Sequence, residues 1–161
     1  MALWQFKFYL VSAADARVDG VDAISLSREQ ADGAKLRLNP DKQQHFLKDL
    51  NGLLPEKASW DAALRIWGDE KTDDIQIWFD DDAIAEAQVR LDMREPAVRL
   101  MDALCRLANR YDCVFLTDER LVIRPSTDIL GRSSQRSAAS DFARDPAGFL
   151  ARAPLVPIKP E

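Results

Sequence analysis

Carboxylates are the residues of this chain most able to do chemistry. Between Asp69 and Asp82 stand Asp69, Glu70, Asp73, Asp74, Asp80, Asp81 and Asp82, with Lys71 the single base among them. Three consecutive carboxylates, Asp80 to Asp82, are hard oxygen donors of the kind that hold calcium or magnesium. The spacing argues against a metal. An EF-hand pattern is absent, and adjacent carboxylates on one tight turn cannot all converge on one ion. The expectation is a solvated turn that also forms the rim of an interface. A second set lies further on: Glu86, Arg90 and Asp92 fall on one face of the alternating run that ends in "VRLDMRE", with Arg94 two residues beyond. Paired carboxylates beside a guanidinium suit general acid–base work or an acidic ligand. They equally suit a solvent-facing strand whose alternating charge discourages aggregation.

Other chemistries lack their parts. His45 is the only histidine and falls opposite the apolar stripe of its helix, so a triad or a His-ligated metal would have to rest on it alone. Neither a nucleophile elbow, nor a zinc-protease pair, nor a phosphate loop, nor a dinucleotide fingerprint occurs. The six glycines do not cluster. Cys105 and Cys113 have no metal or redox spacing and read as small buried apolar residues. No cofactor, no metal and no catalytic residue is expected, and the balance leans away from an enzyme.

The chain has 161 residues, 47% hydrophobic and 30% charged, with a net charge of −5. That length buries a core without disulfides. The negative balance disfavours nucleic acid as a partner. No apolar run approaches the ~20 residues of a membrane span. The opening "LWQFKFYLV" lacks a basic region before it and carries Lys7 within it, so it reads as a strand of a cytoplasmic protein rather than a leader. Charge is uneven along the chain: six arginines face three aspartates between Arg120 and Arg152.

The elements that must position these residues follow from periodicity. Trp4, Phe6, Phe8 and Leu10 share a face of the first strand. "DAISLSRE" alternates briefly and is expected to pair back onto it, with "QADGAKLRLN" irregular. Asn39 and Pro40 open a helix whose stripe is Phe46, Leu47, Leu50, Leu53 and Leu54. Residues 63–67 lean to strand, with a helix at 58–68 the alternative. Ile75, Ile77 and Phe79 then alternate with Gln76 and Trp78, and Ala85, Ala87, Val89 and Leu91 with Glu86, Arg90 and Asp92. Pairing Phe79 with Ala83, Ile77 with Ala85 and Ile75 with Ala87 keeps the apolar residues on one face and leaves Asp80 to Asp82 as a three-residue loop. Pro96 opens a second helix, with Leu100, Met101, Leu104 and Ala108 inward. "CVFLTDERLVIR" reads as a hairpin, and short helices follow, one from Ser126 and one from Asp145 and Pro146. The sum is an α+β fold: a mostly antiparallel sheet, two main helices on one face and a short helical C-terminal appendix. Residues 1–153 form one domain and 154–161 a proline-containing tail.

The segments "SWDAALRIWGDEKTDDIQIWFDDD", "VRLDMRE", "LANRYDCVFLTDERLVIRP" and "SAASDFARDPAGFL" resemble small uncharacterised bacterial proteins, some of which look like immunity proteins of polymorphic toxin systems. The resemblance covers residues 59–150 and implies a non-catalytic protein-binding domain that neutralises a basic toxin through an acidic surface. It carries over no functional residues. The charge pattern itself places the partner-binding set at Asp73, Asp74, Trp78, Asp80, Asp81 and Asp82, because an acidic face steers a basic partner and a tryptophan on a charged sheet face can anchor one. The alternative is a small-molecule binder or enzyme built on Glu86, Arg90 and Asp92. It requires a concave pocket over that face.

Overall fold

The computed structural model describes residues 2–152. Strand β1 spans Gln5–Ser12 and runs into a single 3₁₀ turn at Ala13–Ala16; β2 (Arg17–Val18) and β3 (Val21–Asp22) form a minimal hairpin. Helix α1 (Arg28–Gly33) and helix α2 (Pro40–Leu50) follow, then β4 (Glu56–Lys57), β5 (Leu64–Gly68), β6 (Asp74–Asp80) and β7 (Ala83–Asp92). Helix α3 (Val98–Arg110) leads to β8 (Cys113–Thr117) and β9 (Val122–Ile123), and α4 (Thr127–Gln135), α5 (Ala138–Arg144) and α6 (Pro146–Arg152) complete the described residues. The main sheet has seven strands in the order β4-β5-β6-β7-β1-β8-β9, every neighbour antiparallel. This is the expected α+β architecture. The first strand lies inside the sheet between β7 and β8, and α3 carries the chain across it from one to the other.

Alternation decides the two faces. Phe6, Phe8, Leu10, Trp67, Ile75, Ile77, Val89, Leu91 and Phe115 point to one side and pack against Phe46 and Leu50 of α2, Leu100, Met101 and Leu104 of α3, and Leu130 of α4. Each such side chain removed from water contributes about 1.5–3 kcal/mol. Helix α2 starts where sequence signals place it: Asn39 caps its first turn by accepting the Lys42 N–H at 2.8 Å, and Pro40 takes the first helical position. On the opposite face a smaller cluster joins Val11, Val114 and Leu116 to Ala13, Ala16 and Leu26. Next to it the face is polar, with Lys7, Tyr9, Asp74, Gln76, Gln88 and Arg90 side by side across β1, β7 and β6, and at β5 it turns apolar again with Leu64 and Ile66 beside Trp78.

Several expectations are revised in detail. Residues 64–68 are strand. "DAISLSRE" does not pair with β1. It touches the opposite edge instead, through a single bridge from Ser25 to Leu121, and leaves Ile24 83% exposed. Ser27 then starts α1 with a reciprocal capping box to Gln30, so "QADG" is helical rather than irregular. Helix α3 begins at Val98, two residues after Pro96, because the chain leaving β7 first makes a turn in which the Arg94 N–H binds the Asp92 carboxylate at 2.9 Å. The β6–β7 register is Ile77 with Ala87 and Ile75 with Val89, shifted by two residues from the expected pairing. Up to Trp78 both registers keep the same residues inward; an irregularity at Trp78/Phe79 then skips Ala85, so Phe79 pairs with Ile84, not Ala83, Ile84 joins the core, and Asp80 pairs with Ala83. Glycine is required at Gly68, where φ is +89° and a Cβ would collide with the Asp73 carbonyl oxygen. The tail at 154–161 lies outside the described residues.

Candidate protein-binding face

The β6–β7 turn has only Asp81 and Asp82 between its last paired residues. Asp81 takes a left-handed conformation, φ +53°, which aspartate tolerates better than most side chains. Helix α2 grips this turn. The Gln43 amide donates from Nε2 to the Asp82 carbonyl oxygen at 2.6 Å, and its Oε1 accepts the Ile84 N–H at 3.1 Å. The backbone is thereby held from outside the hairpin while Asp80, Asp81 and Asp82 stay exposed. None of the three makes an ion pair among the described residues.

Trp78 precedes Asp80 by two residues, about 7 Å along a strand. It lies on the sheet face away from α2 and α3, between Leu64 of β5 and Glu86 of β7. It is half-buried, and what meets it is Trp60, ring centroids 5.6 Å apart and planes at 71°. The C-terminal helices stack an aromatic elsewhere, Phe142 on Trp4. Trp60 itself is 66% exposed. Its loop is shaped by local hydrogen bonds: the Ser59 hydroxyl takes the Asp61 N–H at 3.2 Å, and the Asp61 carboxylate takes the Ala63 N–H at 2.8 Å. An edge-to-face indole pair beside three unpaired carboxylates is the most accessible aromatic feature of this face. Trp60 does not belong to the set that charge patterning selects. Its signal is a tryptophan inside the polar run "KASWDA", which no core stripe accounts for.

Asp73 and Asp74, expected in the same set, are turned inward. Asp74 is fully buried (0% exposed) and makes a two-point ion pair with Arg90: Nε donates to Oδ1 at 2.7 Å and the second guanidinium nitrogen to Oδ2. Gln76 Nε2 donates to the same Oδ2 at 3.1 Å. Asp73 accepts the Asp92 backbone N–H at 2.7 Å. Burial raises the Asp73 pKa, and the Asp92 N–H offsets this only in part. Asp92 goes the other way. Burial pushes it up, but the hydrogen bonds and positive charge of Arg94 outweigh that and hold its pKa below the usual carboxylate range. Gln5 completes the seam by donating to the Glu70 and Thr72 carbonyl oxygens at 3.0 and 2.7 Å. These acids stitch the loop before β6 to the end of β7. Asp74 and Asp92 are buried, and Asp73 is half-buried.

The alternative set does not assemble. Glu86 is exposed, Arg90 is buried against Asp74, and Asp92 is held by Arg94. Glu86 and Asp92 are also six residues apart on one extended strand, about 20 Å, too far to act on one small substrate. Of the three, only Glu86 lines a cleft. His45 is exposed, with Nδ1 2.7 Å from the Asp41 carbonyl oxygen. Both cysteines are buried, and burial pushes the Cys113 thiol up to about 12, where it is inert. Among the described residues no group of His, Cys, Asp or Glu is arranged to hold a metal, and no helix is long and apolar enough to cross a membrane. No protein-family model, no curated protein and no solved structure matches this chain.

Proposed function

We propose that this chain is a non-catalytic protein-binding domain whose contact surface is the Trp60–Trp78 pair together with the Asp80–Asp82 turn. The observation that carries this reading is the exposure of Trp60 against Trp78, next to a turn whose backbone Gln43 holds and whose carboxylates have no ion-pair partner among the described residues. Tryptophans are favoured interface anchors because they bury a large area at little entropic cost. Carboxylates held on a fixed backbone steer a cationic partner and set its orientation. The partner this chemistry fits is a basic protein. The resemblance to immunity-type proteins makes a basic toxin the first to try. Asp73 and Asp74 leave the contact set, and Trp60 enters it.

The test is a pull-down from the source cell with wild type, Trp60→Ala and Asp80→Lys/Asp82→Lys side by side, followed by association kinetics with whatever basic protein is recovered. The reading expects one stoichiometric partner. Trp60→Ala should weaken it by about 2 kcal/mol or more, through faster dissociation. The double lysine variant should slow association, most at low salt. A partner bound equally by all three proteins would place the interface elsewhere.

A further inference from the structure

A second recognition site lies on the same sheet face, where two strands part. β1 and β7 pair only as far as Tyr9 and Gln88; beyond that point β1 continues with β8 alone. The space β7 leaves is entered by the chain between α1 and α2: the Ser12 N–H donates to the Lys35 carbonyl oxygen at 2.9 Å, and the Arg37 N–H to the Ser12 hydroxyl at 2.8 Å. Between this segment and β7 remains a cleft of about 530 Å³. That is the size of a small-molecule site.

Its lining is divided by chemistry. Ala31, Ala34 and Leu116, members of the smaller cluster on this face, contribute apolar surface. Arg28, Lys35 and Arg120 stand around it, and none of them makes an ion pair among the described residues. Three carboxylates, Asp32, Glu86 and Asp118, line the same cleft. The acids there compete less well. Asp118 is already paired with Lys7 at 3.4 Å. Glu86 is exposed as a residue, but partial desolvation of its carboxyl raises its pKa, Lys7 offsets this in part, and Asp118 adds to it. Asp32 is the remaining carboxylate.

We propose that this cleft binds a small organic anion, its apolar body against Ala31, Ala34 and Leu116 and its charged group held by Arg28, Lys35 and Arg120. A carboxylate and a phosphate ester share the required chemistry, since a guanidinium fork accepts either. This site is independent of the tryptophan surface and stands or falls separately.

The experiment titrates four probes that share a phenyl body: phenylpropionate, phenyl phosphate, phenylpropanol and phenylpropylamine. Binding is followed by the methyl signals of Ala34 and Leu116 in NMR spectra of the whole chain. The expected result is saturable binding of one or both anions, with the alcohol and the amine weaker by about tenfold or more. Which anion binds tighter separates the carboxylate from the phosphate source. Arg28→Glu/Lys35→Glu, both exposed positions, should abolish the preference without lowering the melting temperature. Arg120→Gln serves as the milder second variant should the double reversal unfold. Any of three results would overturn the proposal: no anion saturating at millimolar concentration, the amine or the alcohol binding as tightly as the anions, or either folded variant keeping wild-type affinity for the anion.

Discussion

The two ends of the β6–β7 hairpin are both rich in aspartate and meet opposite fates. At the open end, Asp73, Asp74 and Asp92 are drawn into the protein and tied to Arg90, to Arg94 or to backbone. At the turn, Asp80, Asp81 and Asp82 remain in water. The difference is not in the acids. It lies in what the neighbouring strands supply. Arg90 is directly opposite Asp74 in the ladder, so a charge that could not be buried alone is buried as a pair. At the turn the reinforcement comes from Gln43, which grips backbone and leaves the carboxylates unengaged. An aspartate run thus becomes structure at one end and an exposed acidic surface at the other.

This contrast can be broken most severely at Asp74. Asp74→Ala leaves Arg90 buried without a counter-ion, and unfolding by urea should show a loss of about 3–5 kcal/mol. Replacing both partners by apolar residues, Asp74→Leu with Arg90→Met, should recover much of that loss. A single substitution costing under about 1 kcal/mol would mean that the pair is solvated and the contrast between the two ends unreal. Gln43→Ala comes next. It removes two hydrogen bonds from the turn and should cost about 1–2 kcal/mol, with faster amide exchange at Ile84 as its local signature.

Asp73 and Asp92 sharpen the comparison by titrating in opposite directions. Asp92 has a folded pKa below its ordinary value of 3.8, so it contributes stability at neutral pH that is lost as the pH falls below that value. Asp73 has a folded pKa above 3.8; its charged form is a cost at neutral pH that is relieved as the pH falls toward that value. Relative to Asp92→Asn, wild type should therefore lose advantage on acidification. Relative to Asp73→Asn, it should gain. Denaturant midpoints for the three proteins at a series of pH values decide this, and curves that stay parallel would contradict both signs. The smallest effect on stability belongs to the turn: Asp80→Lys/Asp82→Lys should change it by no more than about 0.5 kcal/mol, although the same variant is the one expected to slow association with a basic partner.

Much of the framework is legible in the order of residues alone. Alternation in "LWQFKFYLV" and "IQIWF" marks the strands and their inward faces, and Asn39–Pro40 marks the start of α2. The capping box of α1, Ser27 with Gln30, is written there too, but Ile24 and Leu26 just ahead of it imitate a strand and mask it. The β6–β7 register escapes for a physical reason. Up to Trp78 the shift is two residues and preserves every side chain's face, so hydrophobic pattern selects parity and not position, and it gives no sign of the irregularity beyond Trp78 that turns Ile84 inward. For the site, the exposed half is visible as three aspartates in a turn and one tryptophan facing away from the core stripe. Its other half, Trp60, lies 18 residues earlier in a loop with no periodicity to read.

By itself, then, the sequence determined the α+β class, the main elements, the inward faces, the burial of Cys105 and Cys113, and the exposure of the triple aspartate, because each of these depends on local preference or on a short repeat of polarity. The tertiary structure alone decided that Asp74 would pair with Arg90, that Gln43 would hold the turn, that Trp60 would meet Trp78, and that β1 and β7 would part to leave a cleft. Each of those joins residues distant in sequence through side-chain geometry, and no local pattern encodes which distant partner a polar or aromatic group will find.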